Sequence, residues 1–75
     1  MNSQPSLKCI DICLNGTLRH IPQATTLTEI LVADGLLGKR IAVERNGEIV
    51  PKSQHGITTL AAGDQLEIVV AVGGG

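Results

Sequence analysis

The 75-residue sequence predicts an α+β domain, one short helix set against a sheet, with the element order β, β, α, β, β, β. Three observations predict it. Strand-period alternation marks residues 7–14 and 65–72, two Asn-Gly dipeptides stand where hairpins would turn, and one capping box opens the single helical stretch.

Residues 7–14 alternate, with Ile10, Ile12 and Leu14 on one face and Cys9, Asp11 and Cys13 on the other, which reads as a strand with one face in a core. Asn15-Gly16 supplies the positive φ angles of a two-residue turn, and residues 17–21 return as a second strand that stops at Pro22. Thr26-Leu27-Thr28-Glu29 is a capping box, so a helix begins near Leu27 with Leu27, Ile30 and Leu31 on one face. Gly35 suits the left-handed position after the last turn, and Leu36 is placed to fold back on Leu31. About two turns of helix are marginal alone and need a flat partner for their apolar stripe. Residues 40–45, Asn46-Gly47 and residues 48–50 form the second hairpin, ending at Pro51. Residues 52–59 are a polar loop or brief helical turn, and residues 60–64 turn into the final strand, 65–72, whose Leu66, Ile68, Val70 and Val72 share a face.

Composition limits what such a domain does. Ile, Leu and Val number 23 and Phe, Tyr and Trp are absent, so the core is aliphatic and no aromatic platform exists for stacking bases. Six Lys and Arg are scattered against seven Asp and Glu, without a basic stripe, which argues against nucleic acid as a partner. No apolar run approaches the roughly 18–20 residues of a membrane span, and residues 1–6 lack the charged and apolar regions of a signal peptide. The expectation is a cytoplasmic protein with no membrane association. Cys9 and Cys13, four apart on a strand, have Cα atoms roughly 13 Å distant, out of disulfide reach. With His20 and His55 at no ligand spacing, no metal site is expected either, and the cysteines read as small hydrophobes. The chain divides into a flexible polar leader (1–6), one domain (7–72) and a flexible glycine tail (73–75).

The final strand is apolar on both faces from Ile68 to Val72, so Val69 and Ala71 point outward as aliphatic residues. With neighbouring Ala42 they predict a docking patch on the open face of the sheet. The alternative is that they are ordinary strand formers exposed singly.

Gly73, Gly74 and Gly75 follow this strand at once, and their chemistry reduces to the main-chain carboxylate of Gly75. A carboxylate is anionic and resonance-stabilised, hence a poor electrophile. Transfer through it requires that one oxygen become a leaving group, which adenylation by ATP achieves. Residues without Cβ reach backbone angles closed to others and leave the activated carbonyl open to attack, so Gly73 and Gly74 suit a tail that threads a narrow enzyme channel.

Three segments together resemble the ThiS family, the sulfur carriers of thiamine biosynthesis: Ile12-Cys13-Leu14-Asn15-Gly16; Ile41-Ala42-Val43-Glu44-Arg45-Asn46-Gly47-Glu48-Ile49-Val50-Pro51-Lys52-Ser53; and Leu60-Ala61-Ala62-Gly63-Asp64-Gln65-Leu66-Glu67-Ile68-Val69 with the run to Gly75. The resemblance covers about residues 10–75. It implies a ubiquitin-like β-grasp fold, a mixed sheet with one short helix packed across it and the first and last strands parallel at its centre. It also implies that a ThiF-like adenylating enzyme activates Gly75 with ATP, that a cysteine persulfide supplies the sulfur of a thiocarboxylate, and that a ThiG-like thiazole synthase takes that sulfur. The protein would then be a carrier and co-substrate, with no catalytic residues and no bound cofactor of its own. The leader and the third glycine depart from the family pattern, and Cys9 and Cys13 lie outside its functional positions. Other readings stay open: a sulfur donor like the small subunit of molybdopterin synthase, a ubiquitin-like modifier joined to lysines, or a β-grasp binding domain whose tail is incidental.

Overall fold

Residues 8–71 are described by the computed structural model. The leader at 1–6, Leu7, Val72 and the glycine tail at 73–75 lie outside the described residues. Within them the chain runs β1 (Cys9–Leu14), β2 (Thr17–Pro22), α1 (Leu27–Ala33), β3 (Ile41–Arg45), β4 (Glu48–Ile49), a single 3-10 turn (Lys52–Gln54) and β5 (Gln65–Val70).

Each local signal has its physical counterpart. Asn15 and Gly16 take φ of 49° and 82°, and Asn46 and Gly47 take 52° and 87°, the left-handed pair that matches hairpin twist. At the helix start the Thr26 hydroxyl accepts from the Glu29 amide and the Glu29 carboxylate accepts from the Thr26 amide at 2.8 Å. At its end Gly35, at φ 71°, donates to Val32 and Leu36 donates back to Leu31 at 2.8 Å, the two bonds of a Schellman motif. The residue before that glycine is Asp34, an acid at the negative end of the helix, and Arg19 of β2 compensates it through two hydrogen bonds of 2.9 and 3.2 Å.

The sheet has the order β2-β1-β5-β3-β4, with β1 and β5 parallel and every other pairing antiparallel. This is the mixed sheet of a ubiquitin-like β-grasp. Leu27, Ile30 and Leu31 of α1 are buried in one cluster with Ile12 and Leu14 of β1, Ile21 of β2, Val43 of β3, Leu60, and Leu66 and Ile68 of β5. The other face of the sheet has no covering layer among the described residues.

Two details differ from the sequence pattern. Val70 has the parity of Leu66 and Ile68, yet it is 37% exposed, because it pairs with Ile41 at the first residue of β3, where the core is running out. The strands are also shorter than the alternation allows: β3 and β5 end together at the Ile41–Val70 pair, and β4 has two residues because the chain leaves the sheet at Pro51.

Candidate functional site

The final strand is the element that leads to the glycines, and it is held along its whole length. At its entry Asp64 is buried and its carboxylate accepts from the Ala61 amide at 2.8 Å, from Arg45 Nε at 2.8 Å and from Asn46 Nδ2 at 3.1 Å. Burial alone would push this carboxyl up, but the three donors and the guanidinium charge outweigh it and hold it below the usual carboxylate range. Asn46 adds a fourth tie, its Oδ1 accepting from the Gln65 amide at 2.9 Å.

Midway along β5, β1 has already turned away. The Cys13 and Asn15 amides donate to the carbonyls of Asp64 and Leu66, the rungs of a parallel ladder, and the next partners would belong to Asn15 and Thr17. The Asn15 side chain fills both places. Its Oδ1 accepts from the Ile68 amide at 2.7 Å and its Nδ2 donates to the Ile68 carbonyl at 3.1 Å, so a side-chain amide continues the sheet past the end of a strand. At the exit the Ala71 amide donates to the Arg40 carbonyl at 2.9 Å. Asn15→Gly keeps the turn geometry and removes only the amide. We expect it to lower unfolding free energy by about 1–3 kcal/mol in urea titration, the cost of leaving part-buried peptide groups without partners.

The residues singled out from the sequence fall as follows. Ala42 and Val69 are direct partners across β3 and β5, and Ala71 is two residues beyond Val69; all three are exposed, Val69 to 62%. They form one aliphatic stretch on the uncovered face. Glu44 and Glu67 face each other one step further along the same ladder, giving that stretch an acidic border. Gly73, Gly74 and Gly75 lie outside the described residues. Cys9 and Cys13 are free thiols on the same open face, and His20 Nδ1 lies 2.6 Å from Asp11 Oδ1 there, exposed. Among the described residues no helix is long and apolar enough to cross a membrane.

The sequence reading missed the second use of the two asparagines. Type I′ turns accept Asp or Gly in place of Asn. That both turns use Asn is the signal that a neutral amide, able to donate and accept at once, is needed beside β5.

Comparison with known proteins agrees with this architecture. The model of the ThiS family matches residues 12–75. The chain resembles the crystal structure of a thiamine biosynthesis protein, ThiS, from Geobacter metallireducens, with TM-score 0.74 and 28% identity over 88% of this chain and 100% of that one. It is also 41% identical over 64 residues to a thiazole synthase of Paramagnetospirillum magneticum and 38% identical over 64 residues to one of Magnetococcus marinus. These matches take in 85% of this chain but 20% of each thiazole synthase, so the chain spans a fifth of the length of the curated relatives it matches. The family match covers most of the sequence, through both hairpins, the helix and the strand that leads to the glycines, and the chain belongs to the ThiS family.

Proposed function

We propose that this chain is a sulfur carrier of thiamine biosynthesis whose working group is the carboxylate of Gly75. The observation that carries the reading is the reach of the family match, which runs from the first hairpin through residue 75 and so includes the glycine end. The geometry is compatible with it: β5 is fixed at entry, middle and exit, and the tail leaves from its end.

The chemistry follows from the carboxylate. A Gly75 oxygen attacks the α-phosphorus of ATP in a ThiF-like adenylating enzyme, and pyrophosphate leaves. The terminal sulfur of a cysteine persulfide then attacks the acyl carbon and AMP leaves, giving an acyl disulfide. A second thiol cleaves its S–S bond, so that the carrier keeps a thiocarboxylate and the two thiols leave as a disulfide. A ThiG-like thiazole synthase accepts the sulfur, and the similarity of this chain to a fifth of the length of relatives named thiazole synthase supports that partner. The chain itself contributes a rigid body and a tail, and the partners contribute the catalysis.

The test is intact-mass spectrometry of the purified chain, ending at Gly75, after incubation with the adenylating enzyme, ATP and a persulfide donor. The expected result is replacement of one oxygen by sulfur, located at Gly75 by fragmentation. An unchanged mass, with the enzyme active on another carrier, overturns the reading. Val69, Ala71 and Ala42 are assigned to partner docking. Val69→Asp changes an exposed position and should leave the fold intact while raising KM for adenylation about tenfold, as loss of an apolar contact in an interface does. An unchanged KM removes the patch from the scheme.

A further inference from the structure

The six Lys and Arg of this chain look scattered in sequence, but the fold gathers three of them. Lys39, Arg40 and Lys52 line a groove of 580 Å³ that runs between the end of α1, the start of β3 and the loop after β4, and takes in Ala42, Val69 and Ala71 of the proposed docking patch. Its floor is aliphatic, from Leu31, Leu36 and Ile41, and Leu37 stands 59% exposed at its rim. No Asp or Glu lines it, and none of its three cations has an ion-pair partner among the described residues; the ion pairs there join Arg19 to Asp34, Arg45 to Asp64 and His20 to Asp11.

The backbone adds a second feature. The Ala71 amide bonded to the Arg40 carbonyl fixes the phase of the β3–β5 ladder, so residues 40, 42 and 44 turn their peptide groups toward β5, and Ile41 and Val43 turn theirs the other way. On that side Val50 donates to the Val43 carbonyl at 2.8 Å and β4 pairs with Glu44 and Arg45, but the chain leaves the sheet at Pro51. Ile41 therefore presents its N–H and C=O at an open edge, with no backbone partner on that side among the described residues. An open edge beside aliphatic side chains is where an extended segment adds to a sheet.

We propose that this groove docks an extended, acidic and aliphatic segment of the adenylating enzyme. Ile41 supplies backbone hydrogen bonds to it, the leucines receive its apolar side chains, and Lys39, Arg40 and Lys52 pair with its carboxylates. The inference rests on the sulfur-carrier reading for its choice of enzyme. Charge favours the occupant: the groove's charged side chains are all cations, while Glu44 and Glu67 lie one same-face pair beyond its Ala42–Val69 end, so an acidic segment is drawn toward Lys39, Arg40 and Lys52 and kept from extending along the sheet toward the two glutamates. Position supports it as well, since an enzyme that receives the tail meets the groove at Ala71.

Two measurements decide it. In the adenylation assay the triple variant Lys39→Glu, Arg40→Glu, Lys52→Glu, all exposed positions, should raise KM at least about tenfold with kcat little changed, and the difference should shrink at high salt. Lys8→Glu, a single charge reversal away from the groove, serves as the control for the single variants Lys39→Glu, Arg40→Glu and Lys52→Glu, and should not raise KM where each of those does. In the second measurement, nitrogen-15 spectra of the wild-type chain are recorded with an acetylated hexapeptide alternating aspartate and leucine. Saturable shifts of the Ile41 and Gly38 amides are expected, absent in the triple variant and absent with the lysine-leucine counterpart. A triple variant with unchanged KM beside an active wild-type carrier overturns the docking proposal and leaves the carrier reading standing. A wild-type chain that is never adenylated overturns the carrier reading, and the peptide spectra then decide the groove alone: shifts confined to β1 and β2, equal shifts with the basic peptide, or none at millimolar peptide reject it.

Discussion

Removal of Gly75 is expected to abolish the proposed thiocarboxylate formation while leaving the unfolding midpoint of the protein where it was. The two halves of this expectation come from different parts of the molecule. The bonds that hold β5 lie between Asp64 and Ala71: the Asp64 carboxylate, the Asn46 and Asn15 amides, and the Ala71 to Arg40 bond. None of these involves residue 75. The proposed reaction, by contrast, uses the carboxylate at the far end of the tail. The shortened chain still ends in a glycine carboxylate, so chemistry alone would permit adenylation; what it loses is reach into the enzyme's nucleotide site.

The companion substitution separates reach from width. Gly75→Val keeps the length and the carboxylate but adds a branched Cβ next to the carbon under attack. A displacement of about 1 Å at a reacting centre costs on the order of 100-fold, and we expect kcat/KM for adenylation to fall by about that much. Both variants are read by the same intact-mass assay, with thermal melts as the control. Full activity of the shortened chain would show that the working carboxylate is not that of residue 75.

What was legible in the sequence was the chemistry that acts between near neighbours. Thr26 and Glu29 are three apart, Gly35 follows its helix directly, and each Asn-Gly pair lies between the strands it joins, so each signal could be read without knowing where the rest of the chain goes. The parallel pairing of β1 with β5 was implied only by family resemblance, because alternation says which face of a strand is buried and nothing about its neighbour. The exposure of Val70 was missed for a related reason: parity assigns it to the core face, but burial there depends on how far the partner strand and the helix extend. The ties around β5 were invisible because they join residues 18, 19 and 53 apart. The cationic groove was hidden in the same way, since Lys39 and Arg40 meet Lys52 only through the fold. The role of the tail stays a proposal from the sequence, argued from chemistry alone, because the reactivity of a terminal carboxylate does not depend on the fold that carries it.

The largest stability effect is expected at Asp64. Three donors converge on a carboxylate that is 6% exposed, and its truncation leaves the Ala61 amide, the Asn46 amide and the Arg45 guanidinium all without their acceptor. Hydrogen bonds to a charged group contribute about 1.5–3 kcal/mol, and unsatisfied buried donors add a cost; Arg45, half-buried, recovers part of its loss from water. Asp64→Ala should therefore cost about 2–4 kcal/mol, and a domain of this size shifts its midpoint about 4–8 °C per kcal/mol. The pH dependence separates charge from shape. Because the folded-state carboxyl is held below its ordinary value, the unfolded chain binds the proton more readily. The stabilisation is then fully present above the unfolded value of about 4 and is lost as pH falls from there through the folded value. Asp64→Asn keeps the shape but has nothing to titrate, so its stability should be lower than wild type near neutrality and converge toward it as the pH drops below about 4. Parallel stability curves for the two proteins across that range would mean that the carboxylate's charge does not hold the entry to β5. Convergence would assign the acid-sensitive part of the fold to one residue, placed where the strand that carries the tail begins.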